Sequence, residues 1–281
     1  TQPIIGTQIN ILSENQIGKI TLYATSEQGY KNLTKLSSKS YLNNKASHDP
    51  YCEISDLILN NEDLILLTGN YKDFFGKLFY ANKTKYFEQI IKRLKSSFKD
   101  RLYIEIQRHG EDQESNYENY LLNVSSSYDL PIIAGQEVYY LDESMAEAHD
   151  ALICIGEKDF IDDKNRFRYS SQHYLKKSEE IKKLYKDIPE ALENNFNFPL
   201  RFNFKPKKSK PILPSISNNK NISVEKELME QAKKGLEERL NKFILKKNKK
   251  SSSGEIKKIY EDRLLHELTI INSMDYSSYF L

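Results

Sequence analysis

Apolar positions recur along this chain at two spacings. Short runs alternate with period two, and longer stretches repeat every three to four residues. Residues 3–5 and 9–12 read as short strands around Gly6, and 20–24 (Ile-Thr-Leu-Tyr-Ala) as another. Ser26 is placed to cap a helix whose core face is Tyr30, Leu33, Leu36 and Tyr41. Leu64 to Leu67 is a buried-type strand ending at Thr68-Gly69. Tyr86, Phe87, Ile90, Ile91, Leu94 and Phe98 form a helical stripe. Leu102, Ile104 and Ile106 then alternate with Tyr103, Glu105 and Gln107, as a strand requires. A helix near 114–126, a strand over 131–134 and a helix with core positions Met145, Ala148, Leu152 and Ile155 follow. Strands separated by helices predict a parallel α/β fold, a barrel or an open sheet.

The second half changes character. Residues 157–171 are polar and basic, with Arg166, Arg168 and Tyr169, and read as a loop. Ser178, followed by Glu179 and Glu180, marks a helix start with an acidic first turn. Pro206, Pro211 and Pro214 among Lys, Ser and Asn give 205–221 the composition of a linker. Two amphipathic helices come after it. One carries Val224, Leu228, Ala232, Leu236, Leu240 and Phe243; the other carries Ile256, Tyr260, Leu264, Leu268, Ile271 and Met274. Lys246 to Gly254 between them is a solvated basic loop.

Composition sets the outer bounds. At 281 residues the chain holds one large domain, or one domain and part of another. It is polar, with 29% charged residues, but 19 Tyr and 13 Phe supply enough large side chains for a core. The net charge of +2 gives no electrostatic footprint of a nucleic-acid binder. Cys52 and Cys154 lie far apart and read as ordinary thiols of a reducing cytosol. No apolar run of about 18 residues suggests a membrane span. The opening at Thr1 and the close at Tyr279-Phe280-Leu281 read as the ends of a segment cut from a longer protein.

Candidate chemistry sits at strand ends, where barrel enzymes place it. Glu105 and His109 are four residues apart across one strand end, a spacing that could share a metal or be a surface Glu and a loop His. Gln136-Glu137-Val138-Tyr139 follows the 131–134 strand and offers one carboxylate and no His. His149 lies inside a helix, and His48, His173 and His266 stand alone. No Gly-rich phosphate loop, nucleophile elbow or Cys/His dyad is present in the sequence.

Several segments carry a resemblance. Residues 27–42, with Gly29-Tyr30-Lys31-Asn32-Leu33, Pro3-Ile4-Ile5-Gly6, Tyr103 to Gly110 and Ala146 to Gly156 are similar to the alpha-subunit family of bacterial DNA polymerase III, the replicative C-family polymerases. So are Tyr174-Leu175-Lys176, Ile188 to Leu192, Lys210 to Pro214, 232–240 and 262–274. These segments run in family order over nearly the whole chain. The resemblance implies a PHP domain over residues 1–211, a distorted (β/α)7 barrel lacking its first strand or strands, then a linker at 212–221. Residues 222–281 would be helices that open the polymerase palm.

In family members with an intact site, the strand ends hold metals and hydrolyse phosphoesters. Here the family's ligand positions fall on Gln8, Lys19, Asn70, Glu137 and Tyr139, while Glu105 and His109 survive. A Lys adds positive charge where a metal would sit, and Tyr replaces imidazole poorly. The expectation is therefore a scaffold with an eroded metal site and no metal of its own, docking a proofreading exonuclease subunit and other holoenzyme subunits. The alternative is an active metal-dependent PHP phosphoesterase. The cytoplasmic parent would be a DNA-directed DNA polymerase, a nucleotidyltransferase using Mg²⁺ held by palm carboxylates outside this segment. No catalytic residue is assigned within it.

Overall fold

The computed structural model describes residues 2–42, 49–210, 222–245 and 253–281. These form two compact units, Thr1–Pro206 and Lys207–Leu281. The linker expected at 212–221 and most of the basic loop at 246–254 lie outside the described residues.

The first unit starts with a hairpin. Strand β1 (Ile5–Ser13) pairs antiparallel with β2 (Gln16–Ala24), from Ile5 opposite Ala24 to Ser13 opposite Gln16. The two residues between them, Glu14 and Asn15, have φ of 45° and 63°, the twist that a two-residue hairpin turn needs. The two short strands expected around Gly6 are thus one strand. Gly6 is opposite Tyr23, whose ring would stand 2.6 Å from a Cβ there, so the strand accepts a glycine to seat that ring. Helix α1 (Glu27–Leu42) begins where Ser26 Oγ accepts the Gly29 amide at 3.2 Å. Strand β3 (Tyr51–Cys52) adds parallel to β1, and helix α2 (Ile54–Leu59) follows through a Glu53–Asp56 capping box.

Strands β4 (Leu64–Leu67), β5 (Leu102–Gln107) and β6 (Ile132–Gly135) run parallel to one another, and β4 pairs antiparallel with β2. The sheet order is β3-β1-β2-β4-β5-β6. Helices α3 (Phe74–Tyr80) and α4 (Thr84–Phe98) connect β4 to β5, and α5 (Glu114–Tyr128) connects β5 to β6. The α/β fold is as expected, but the sheet is open with β3 and β6 at its edges, an arrangement compatible with an incomplete barrel.

Period-two alternation divides the side chains between two cores. Leu64, Leu66, Leu102, Ile104, Ile106 and Ile132 belong to the main core with Phe87, Ile91 and Leu94 of α4. Ile65, Leu67, Tyr103 and Ile133 point to the other face and meet Phe198 and Phe202. That second face is where the strand-end polar residues also project.

After β6 come α6 (Ala146–Glu157), α7 (Ser178–Leu184) and α8 (Pro189–Asn197). Two helical faces depart from expectation. Tyr30 and Tyr41 of α1 are exposed, Tyr30 stacking on Phe204, while Leu33 and Leu36 alone enter the core. The stripe Met145, Ala148, Leu152 and Ile155 faces solvent, and the helix buries Cys154 instead. Arg166, in the segment read as a polar loop, is buried and grips the Asp150 carboxylate with both terminal nitrogens.

In the second unit, Ser223 caps α9 (Val224–Arg239), which continues through a π-helical turn (Leu240–Ile244). Helix α10 (Ser253–Ser273) and the short α11 (Ser277–Phe280) follow. Leu228, Leu240 and Leu268 are buried, whereas Phe243, Ile259, Leu265, Met274 and Tyr279 are exposed.

Candidate functional site

The C-terminal ends of β4, β5 and β6 feed Thr68–Asn70, Arg108–His109 and Gln136–Glu137 to one edge of the second sheet face. Gln8, Glu105 and Glu137 line a concavity of about 370 Å³ there, with Thr21, Tyr23 and Gln107. Gln8 reaches Thr21 at 3.5 Å across the hairpin. Asn70 donates to Gln107 at 3.3 Å, and Gln107 donates to Glu105 at 2.8 Å. Tyr139 donates to Glu137 at 3.2 Å. Lys19 lies opposite Asn10 in the hairpin, exposed, and its charge draws on the carboxylate of Asp73.

Glu105 is buried because its strand position is buried. Its amide donates to Thr68 Oγ1 at 3.0 Å, and a Cβ at Gly135 would stand 2.0 Å from its Oε1. Burial pushes its carboxyl up to about 7, with Asp73 and Glu137 adding to the rise and Gln107 opposing it. Asp73 is also buried and is pushed up to about 6 by burial and by Glu137, against the Asn70 amide and Lys19. Three carboxylates thus repel one another at the strand ends, and two of them take protons near neutral pH.

His109 has both ring nitrogens engaged. Nε2 accepts the Glu137 amide at 3.1 Å, so the neutral ring carries its proton on Nδ1 and gives it to Glu114 Oε1 at 3.2 Å. Glu114 also accepts the amides of His109, Gly110 and Glu111. Burial opposes its ionisation, but the His109 side chain and these amides hold its carboxyl low. Beside His109 lies the buried ring of His173, whose Nδ1 is 3.2 Å from the Glu137 carbonyl oxygen. His173 Nε2 has no hydrogen-bond partner among the described residues, and Glu111 Oε1 stands 3.6 Å away. Burial, then His109, lowers the His173 pKa.

Sequence reasoning missed Asp73, Gln107, Glu114 and His173. Glu114 had a readable signal as an acid in the first turn of a helix directly after a strand-end His. His173 had none, because a bridge from Tyr140 to Tyr174 brings it in from 64 residues beyond His109 in sequence. His149 lies inside a helix as expected and stacks on Tyr139 with 5.2 Å between centroids. Among the described residues no group of three or more His, Cys, Asp or Glu is arranged to hold a metal ion. Among them, too, no helix is long and apolar enough to cross a membrane.

Comparison with known proteins adds lineage. The family model described as PHP domain matches residues 1–109. The chain is 34% identical over 288 residues to DNA polymerase III subunit alpha of Caulobacter vibrioides, covering all of this chain and 24% of the relative. It is 35% identical over 282 residues to the same subunit of Rickettsia bellii, with the same coverage of each chain. With that of Escherichia coli K12 the figure is 31% over 284 residues, again with 24% of the relative covered. The chain therefore spans about a quarter of the length of the curated relatives it matches.

Proposed function

We propose, on the premise that this chain belongs to the family of the DNA polymerase III alpha subunit, that it is the PHP-containing scaffold of a replicative polymerase. In this reading residues 1–211 are the PHP domain, 212–221 a linker and 222–281 helices leading toward the palm. The parent, in the cytoplasm, carries out DNA-directed DNA synthesis. Its Mg²⁺ and catalytic carboxylates belong to the palm, and this segment contributes folding, spacing and docking. The partner it docks is a proofreading exonuclease subunit, alongside other holoenzyme subunits, while the parent meets DNA through its palm, fingers and thumb.

The observation that carries the reading is the occupancy of His109. Both its nitrogens are committed to Glu114 and to the Glu137 backbone, so ligation would break the local fold. Its neighbours do not repair the donor set. Gln8 and Asn70 are neutral amides, Lys19 is a cation, and Glu105 holds a proton near pH 7. The residues therefore do not fit a catalytic metal centre.

A second reading has one observation in its favour. Asp73 and Glu137 lie close enough to Glu105 to raise its pKa, and a divalent cation would relieve the repulsion among these three carboxylates. That reading is an active metal-dependent phosphoesterase. Two measurements separate them. Calorimetric titration of the chain with Mn²⁺ and Zn²⁺ gives no stoichiometric binding if the site is eroded. Size-exclusion of the chain with a purified proofreading exonuclease subunit gives a co-eluting complex if it is a scaffold. Stoichiometric metal without co-elution favours the phosphoesterase.

A further inference from the structure

Helix α6 presents its apolar side outward. Met145, just ahead of it, and Ala148, Leu152 and Ile155 within it repeat at three- and four-residue steps and so share one face. All four are exposed, Leu152 to 62% and Ile155 to 76%. Phe160 and Ile161 follow the helix and are exposed as well. The inner side of α6 is already filled: Cys154 is buried, His149 stacks on Tyr139 and packs at a tilt against Tyr140, and Asp150 is held by Arg166 and Arg168. Rotating the helix would bury the stripe only by breaking that ion pair. A surface that keeps such a stripe in water is a contact surface for something else.

The charge around it selects the occupant. Between residues 141 and 168 there are eight carboxylates against four basic side chains, and Arg166 and Arg168 are both committed to Asp150. The remaining seven carboxylates outnumber Lys158 and Lys164 in this segment, with Lys177 acting on Asp142 and Lys176 on Glu143. That field repels nucleic acid and anionic lipid. It repels a second copy of the same face as well. It attracts a segment that pairs an apolar ridge with Lys or Arg on its flanks.

We propose that the outward stripe of α6 is a docking surface for a basic amphipathic helix of a separate partner protein. Leu152 and Ile155 are its apolar anchors, and the carboxylates that flank them in sequence guide the approach. The inference does not rest on the state of the strand-end face, so its failure leaves the scaffold reading intact.

The test uses the whole 281-residue chain. The probe is a fluorescent synthetic peptide with Leu on one helical face and Lys on the other. Two control peptides carry Glu in place of Lys, or Lys without Leu. The expected result is saturable binding of the Leu/Lys peptide alone, weakened roughly tenfold or more by Leu152→Ser with Ile155→Ser, as loss of two apolar anchors implies. Circular dichroism of this variant should match the parent, because both side chains are exposed. Equal binding of the Lys-only peptide, binding unchanged in the variant, or no binding would overturn the proposal. So would a concentration-dependent dimer that the same variant abolishes, since the face would then belong to a second copy.

Discussion

The imidazole rings of His109 and His173 lie parallel, 4.1 Å between centroids and 3° between planes. Between them they hold the backbone N–H and C=O of one residue, Glu137. His109 Nε2 takes the Glu137 amide, and His173 Nδ1 faces the Glu137 carbonyl oxygen. The segment after β6 is thereby fixed to the segment after β5, and the Tyr139 amide is tied to the His173 carbonyl at 2.9 Å. Shortening His173 to Ala should remove the stack and the Glu137 contact together. Hydrogen exchange at the Glu137 and Tyr139 amides should quicken by tenfold or more, for a loss of about 1–2 kcal/mol of local stability. Exchange confined to wild-type rates would mean that the stack does not hold this segment.

Glu105 supplies a pH test. Its carboxyl is pushed above its ordinary 4.5 to about 7, so the folded state favours the protonated form. That contribution is full below about pH 4.5 and is lost as pH rises through about 7. Glu105→Gln stays neutral at every pH. It should match the parent in thermal stability near pH 4 and exceed it above pH 8, by on the order of 2 kcal/mol. A variant less stable than the parent at high pH would mean that Glu105 is ionised and paired.

Asp150 titrates with the opposite sign. Arg166 holds its carboxyl below the ordinary 3.8, at about 2. The stability this adds is present above about pH 4 and is lost as pH falls toward about 2. Asp150→Asn leaves the buried Arg166 unpaired and should cost about 3 kcal/mol at neutral pH, read from urea denaturation. The gap to the parent should narrow below pH 4.

Gly135 and Glu105 should be energetically coupled. An alanine Cβ at 135 would stand 2.0 Å from Glu105 Oε1. Gly135→Ala should cost about 2 kcal/mol alone, and at least about 1 kcal/mol less when Glu105 is Ala. Additive losses in the double variant would remove Glu105 as the reason for glycine there.

These residues mark how far the sequence could be read. The alternation in β5 put Glu105 on the opposite face from Leu102, Ile104 and Ile106, because period two is local information. Its burial was not legible, since Thr68, just beyond β4, and Gly135, at the end of β6, enclose it. The apolar stripe of α6 identified a helix correctly but not the direction it faces, which Arg166 and His149 settle through tertiary contacts. Strand β3 and helices α2 and α3 span too few residues for a periodic signal. Whether the sheet closes depends on how its edge strands meet, which no single segment encodes.

Hydrolysis measured directly on this chain tests the central claim, that the strand-end face is a scaffold and not a catalyst. The assay offers a chromogenic phosphomonoester and a short oligonucleotide in the presence of Mn²⁺, Zn²⁺ or Mg²⁺. The account predicts no turnover above buffer with any of the three, and no change on His109→Ala. Turnover that requires added metal and disappears in both His109→Ala and Glu105→Gln would contradict it.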